Sequence, residues 1–229
     1  MTGLPGAVIP AFRAGDRLAA TLTELAPYVG RICVVDDGSD DNTAEVAEAA
    51  GVWQVVRRDR RGGPGAAVGD GLATQRAAGT EVVIVVDADG QMDPAQIPHL
   101  MEEIDAGADL VRGSRLVPES GGVPMPVLRR FGAGLIRPLA QWAAGMALSD
   151  PLSGFVALRT AHVPAELWPS FGYPVHLVAA VVAGGGRVVH VPVPARYPHG
   201  NSSQHGVHRL PAIAGAIWRA RRTRLRGGA

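Results

Sequence analysis

The run Val82-Val83-Ile84-Val85-Val86 constrains the fold more than any other part of the chain. Five successive β-branched residues leave no polar face, so the strand they form must be covered on both sides. That is the condition of a parallel strand held between two layers of helices. The run stops at Asp87-Ala88-Asp89-Gly90, and a second apolar run, Ile32 to Val35, stops in the same way at Asp36-Asp37-Gly38-Ser39. In a parallel sheet ligands gather at the carboxyl ends of the strands, so both acidic clusters point into one crevice.

The rest of the first half alternates accordingly. Ala7 to Pro10 reads as a strand, and the segment opened by Asp16 repeats Leu18, Leu22 and Leu25 at helical spacing. Asp41 to Ala50 reads as a helix stopped at Gly51, Val52 to Val56 as a strand, Gly62 to Gly65 as a loop and Ala66 to Ala78 as a helix. Ile97 to Ala106 is the next helix and Ala108 to Val111 the next strand. The expected class is therefore α/β, a doubly wound, mostly parallel sheet with helices on both faces. After Gly113 the alternation stops. Pro118 to Pro126 is a Gly/Pro-rich loop, Leu128 to Leu148 a helical stretch, Ser149 to Leu158 a turn into a strand, and Val188 to Val193 a last strand. No internal repeat is present.

A chain of 229 residues with 47% hydrophobic content fits one domain with a sizeable core. Its single cysteine, Cys33, sits in an apolar run and reads as a buried small hydrophobe, so no disulfide framework exists and a reducing compartment is expected. The start, Met1-Thr2-Gly3-Leu4-Pro5, lacks a secretory signal pattern, and no window reaches the ~20 apolar residues a spanning helix needs. A cytoplasmic protein is the expectation. Net charge is +1, yet Val207 to Ala229 holds six arginines and no carboxylate, which leaves the remainder at −5. The tail sets Leu210, Ile213, Ala214, Ile217 and Trp218 at helical spacing among those arginines, the composition of a helix lying in a membrane interface or packed on its own domain. No nucleic-acid-binding module accompanies the charge, so nucleic acid is not an expected partner.

Two carboxylates one residue apart, Asp87 and Asp89, suit a hard divalent cation that takes its remaining ligands from water and phosphate. Alone, Asp-x-Asp reads as a capped turn. Closing a strand, with a second acidic cluster beside it, it reads as a cation and phosphate site. A cation there would neutralise a departing diphosphate.

Val34-Val35-Asp36-Asp37-Gly38-Ser39-Asp40-Asp41-Asn42-Thr43, Val86-Asp87-Ala88-Asp89-Gly90-Gln91, Gly113-Ser114-Arg115 and Asp150-Pro151-Leu152-Ser153-Gly154-Phe155 resemble, in order, the motifs of the inverting nucleotide-sugar glycosyltransferases of family 2, which have the GT-A fold. The nearest branch contains dolichyl-phosphate mannose synthase and bacterial polyprenyl-phosphate glycosyltransferases. The resemblance covers about residues 6 to 205. It implies a catalytic domain over 1–205, with a nucleotide-sugar half (1–113) and an acceptor half (114–205), followed by a basic amphipathic helix over 206–229.

By this resemblance Asp36 and Asp37 hold the base and ribose of the donor, with Pro10, Phe12, Gly65, Asp87 and Ala88 completing the nucleotide site. Asp89 and Gln91 hold Mg2+ or Mn2+, and Asp89 is catalytic through that cation. Family members usually continue the first strand with Tyr-Asn-Glu, whereas this chain has Phe12-Arg13-Ala14 and so lacks an acidic nucleotide contact. The family's glycine-rich lysine is also missing, with Arg60 and Arg61 just upstream.

On the acceptor side Arg115 is placed to meet an acceptor phosphate, because a guanidinium binds phosphate at two points. Arg129 and Arg130 are candidates to join it. If the acceptor is a hydroxyl, Asp150 is the candidate base; it is equally a turn-forming Asp before Pro151. His176 stands where the branch often carries an acidic residue. Ser202 and Ser203 match a loop that closes over the donor. His199, His205 and His208 have no acidic or cysteine neighbour and are not read as a metal site.

The acceptor implied is a polyprenyl phosphate or, alternatively, a small soluble metabolite or natural product. Nucleotidyl transfer on a similar sheet would need a different phosphate-binding start than Val8 to Phe12. A degenerate, non-catalytic nucleotide-binding protein is the remaining alternative.

Overall fold

The computed structural model describes residues 3–116, 127–194 and 209–227. Seven strands form one sheet: β1 (Gly6–Ala11), β2 (Arg31–Asp36), β3 (Gln54–Arg57), β4 (Val82–Val85), β5 (Leu110–Ser114), β6 (Val156–Arg159) and β7 (Val188–Pro192). Their order is β3-β2-β1-β4-β6-β5-β7. All neighbours are parallel except β6, which runs antiparallel between β4 and β5. The chain leaves β1 toward β2 and β3 on one side and reaches β4 on the other, so the crevice falls at the carboxyl ends of β1, β2 and β4.

The uniform Val/Ile run behaves as its pattern requires. Val82, Ile84 and Val86 enter one core and Val83 and Val85 the other, all at most 1% exposed. On the first face lie α1 (Gly15–Leu25), α2 (Thr43–Ala49) and α4 (Ile97–Asp105), whose Leu18, Leu22, Leu25, Ala47, Ile97, Leu100 and Ile104 meet Ile9 and Val34. The second face is covered by α3 (Pro64–Ala77), α5 (Val127–Ala144) and α6 (Tyr173–Ala183), with α7 (Leu210–Gly227) outermost against α5 and α6. Cys33 is fully buried in this second core.

Helix α6 is absent from the sequence-based expectation. Its sequence, YPVHLVAAVVA, is apolar all round and buried from Tyr173 to Ala179, so it carries no amphipathic period. The basic tail does form a helix, and it lays Ile213, Ala216 and Ala220 inward. Arg224 lies where a Gly145 side chain would begin, at the carboxyl end of α5, a favourable place for a cation.

Candidate active site

The first wall of the crevice is the turn after β2. Asp36, 6% exposed, accepts a hydrogen bond from the Ser39 amide at 3.0 Å. Gly38 has φ +72° and lies against the backbone of Arg60 and Arg61, which leaves no room for a side chain. Asp37 uses both oxygens on the next loop: Gly62 N–H and Gly63 N–H each donate to it at 2.8 Å, and Arg58 Nε lies 3.1 Å away. Arg58 also pairs with Asp70 on α3. The Asp37 carboxylate thus fixes the glycine-rich turn.

Gly65 is likewise explained by packing. A side chain there would run into the Trp168 carbonyl and Tyr173 Cβ, while Ala66 N–H donates to Pro169 O at 2.7 Å. The glycine lets the 168–169 segment close on α3. Phe12, just past β1, stacks under the Arg61 guanidinium at 3.9 Å. Arg13 turns outward at φ +50° and pairs with Asp40 through both Nε and Nη2, at 2.6 Å each. Pro10 is partly buried in β1, opposite Val35. Outside the glycine-rich turn a groove of about 390 Å³ opens between Arg61 and Arg209, with Ser170 and Phe171 in its wall.

The second wall follows β4. Asp87 and Asp89 are partly exposed, Ala88 between them is buried, and Gln91 is 4% exposed with its amide donating to Asp89 Oδ1 at 3.0 Å. Burial and then the charge of Asp89 push the Asp87 carboxyl up to about 7, while Arg115 opposes them. No cluster of three metal-ligating side chains occurs among the described residues. Two crowded carboxylates in a half-open position do fit a hard cation that brings phosphate and water as its other ligands.

The third wall is the end of β5 facing the loop before β6. Arg115 donates from Nε to Asp150 Oδ2 at 2.7 Å and from Nη2 to Oδ1 at 3.2 Å. Burial alone would raise the Asp150 pKa; the charge and hydrogen bonds of Arg115, helped by Arg112, lower it instead. A buried, ion-paired carboxyl with its pKa lowered is a poor proton acceptor, so the geometry makes Asp150 the anchor of Arg115.

Arg112 had no place in the motif-based reading. It is 1% exposed, and its Nη2 donates to the carbonyls of Asp150, Pro151 and Ser153 at 2.9, 3.3 and 3.0 Å. Burial lowers its pKa to about 10, which leaves it charged at neutral pH. The only local signal was a charge inside an otherwise apolar strand, Leu110-Val111-Arg112.

His176 lies inside the protein, 2% exposed. Its Nδ1 accepts from Trp168 N–H at 3.0 Å and its Nε2 meets Thr223 Oγ1 at 3.0 Å, so it ties α6 to α7 inside the protein. Arg129 and Arg130 lie in the first turn of α5, and nothing is described of their side chains. Ser202, Ser203, His199, His205 and His208 lie outside the described residues.

His176 and His190 are both held at about 4, chiefly by burial. Unfolded, they take up protons near pH 6.5, so their effect on stability is nil above that pH and grows as pH falls toward 4. Thermal unfolding across this window is expected to show a falling midpoint. His176→Gln should remove a share on the order of 3 kcal/mol from that decline; an unchanged slope in the variant would contradict it.

Residues 7–159 match the family described as Glycosyl transferase family 2. The chain belongs to that family. Among its relatives is an uncharacterised glycosyltransferase of Mycobacterium tuberculosis (strain ATCC 25618 / H37Rv), 35% identical over 191 residues, covering 81% of this chain and 82% of the relative. Another is the undecaprenyl-phosphate mannosyltransferase of Micrococcus luteus, 31% identical over 199 residues and covering 81% of each chain. The fold is also that of glucosyl-3-phosphoglycerate synthase from M. tuberculosis, solved in complex with Mn2+, UDP and phosphoglyceric acid. That structure superposes with a TM-score of 0.72 at 21% identity, over 96% of this chain and 79% of that one. The sheet with its single antiparallel insertion is thus the GT-A arrangement of family 2 glycosyltransferases.

Proposed function

We propose that this family 2 glycosyltransferase transfers a sugar from a nucleoside diphosphate to an anionic acceptor, a polyprenyl phosphate, with inversion at the anomeric carbon. The observation that carries the choice of acceptor is the Arg115–Asp150 pair. It presents a cation beside Asp87 and withdraws Asp150, the carboxylate of the acceptor-side motif, from use as a base. An acceptor phosphate is ionised already and needs no base.

In this reading residues 1–113 bind the donor and 114–205 the acceptor. Asp36, Phe12 and Asp87 position the nucleotide, and Asp37 shapes the turn that borders it. Asp89, with Gln91, would hold Mg2+ or Mn2+, which supplies charge neutralisation on the diphosphate. Arg115 orients the acceptor oxygen for attack. The new bond joins that oxygen to the anomeric carbon as the bond to the β-phosphate breaks, and the nucleoside diphosphate leaves with the electron pair.

A membrane-bound acceptor also suits the outer face of the second helical layer. Leu135, Leu139 and Trp142 of α5 and Trp218 and Leu225 of α7 are more than half exposed. Arg221 stacks on Trp142 at 4.8 Å and Arg222 on Trp218 at 4.5 Å, and neither helix contains an acidic residue. Tryptophan beside arginine is the composition of a surface that rests in anionic lipid headgroups. Among the described residues no helix is long and apolar enough to cross a membrane.

The test offers a polyprenyl phosphate, the matching unphosphorylated polyprenol and a panel of water-soluble hydroxyl acceptors with labelled nucleotide-sugars. Transfer to the phosphate alone is expected. Arg115→Ala should cut kcat/KM for that acceptor by about 30- to 100-fold, the loss of one charge-assisted bidentate contact. Efficient transfer to a soluble hydroxyl acceptor, unaffected by Arg115→Ala, would overturn the choice of acceptor.

A further inference from the structure

Behind Asp87 lies a residue that neither the motifs nor the relatives assign. Tyr173 opens α6 directly after Gly172, which has φ +87° and lies against Ile213 and Ala216 of α7, so the start of the helix is pinned in place. Tyr173 is 95% buried, and among the described residues its hydroxyl has no hydrogen-bond partner. A buried phenol in that state is costly unless it serves a group that needs it.

Its surroundings identify that group. A side chain built on Gly154 would begin 2.8 Å from Tyr173 Oη and 3.3 and 3.4 Å from the two Asp87 carboxylate oxygens. The hydroxyl and the carboxylate therefore flank the same Cα, kept clear because residue 154 is glycine. The other end of the tyrosine lies under Gly65, where an added side chain would begin 2.7 Å from Tyr173 Cβ. One residue thus lies against Gly65 at the start of α3 and reaches Gly154 in the loop held by Arg112, with the first carboxylate of the Asp-x-Asp pair on the same glycine. Asp87 is partly exposed, whereas Tyr173 is buried.

We propose that Tyr173 is a positioning residue for Asp87: its hydroxyl donates to the inner oxygen of that carboxylate when a nucleotide and divalent cation dock, and so aims the outer oxygen at the ligand. The inference rests on the proposed donor site. Gly154 is part of the device, because a methyl group there would wedge between donor and acceptor. Phe12, Asp36 and Asp37 lie on the other wall and are not involved.

Nucleoside diphosphate binding to the full chain is measured calorimetrically with and without Mn2+, for wild type, Tyr173→Phe and Gly154→Ala. Tyr173→Phe keeps the ring under Gly65 and removes only an unpartnered hydroxyl, so its thermal midpoint should equal or exceed that of wild type. Its affinity for the nucleotide with Mn2+ should fall about tenfold, the scale of one hydrogen bond to a charged group, while metal-free affinity stays within twofold. Gly154→Ala should show the same split. A Tyr173→Phe variant with wild-type affinity in Mn2+ overturns the role of Tyr173 alone. A loss equal with and without metal also overturns it, since that marks a merely structural effect. Absence of Mn2+-dependent binding in wild type overturns the donor site and this inference together.

Discussion

Asp89→Asn is expected to lower turnover about a thousandfold while leaving the fold intact. The carboxylate sits half-open after β4, and its Oδ1 accepts a local bond from the Gln91 backbone N–H. An asparagine keeps a carbonyl oxygen for that bond, so the Asp87 to Gln91 turn should survive. What the change removes is the negative charge that the proposed site sets toward the cation and diphosphate. Electrostatic stabilisation of a leaving group is among the largest single contributions an enzyme makes, and its loss costs about 4 kcal/mol of barrier. Release of nucleoside diphosphate at saturating Mn2+ gives the rate, and circular dichroism the fold. A variant retaining more than a tenth of wild-type turnover would remove Asp89 from the mechanism.

The largest expected loss of stability comes from a residue outside every motif. Arg112→Leu should destabilise the protein by about 3 kcal/mol, because three buried carbonyls lose their donor and Asp150 loses a neighbouring cation. For a chain of this size that corresponds to a thermal midpoint lower by roughly 10 °C. The effect on function should go further than the effect on stability. The carbonyls belong to the loop that presents Asp150 to Arg115, so transfer should fall even at temperatures where the variant is folded. Denaturant unfolding measures the first effect and acceptor kinetics the second. A loss under 1 kcal/mol would mean that the loop holds its shape without the guanidinium.

These two residues mark how far the sequence could be read. Asp89 was legible because its information is local: an apolar run covered on both faces must be a central parallel strand, and a polar residue at its carboxyl end faces the crevice. The same logic placed Asp36 and Asp37 after β2. It could not show what the Asp37 carboxylate binds, since Gly62 and Gly63 approach it only after the chain has passed through β3.

Long-range pairing hid the acceptor side as well. Arg115 and Asp150 were each singled out, one as a phosphate contact and one as a base, but their ion pair closes across 35 residues and changes the chemistry of both. Helix α6 escaped for the opposite reason. A helix enclosed on all sides has no polar face to set a period, so the sequence could not show that His176 bonds the Trp168 amide and Thr223 of α7. Arg112 gave only a charge inside a strand, which by itself reads as one solvated position. The antiparallel insertion of β6 is a topological fact with no signature in the Val156 to Arg159 run.

The central claim, a donor site built from the carboxylates at the ends of β2 and β4, is tested most directly by thermal stabilisation. Wild type and Asp89→Asn are melted with a panel of nucleoside diphosphates, each with and without Mn2+. One nucleotide should raise the wild-type midpoint by several degrees only when the metal is present, as binding to the native state requires, and the gain should vanish in the variant. Stabilisation that ignores Mn2+, or that persists unchanged in Asp89→Asn, would contradict the account.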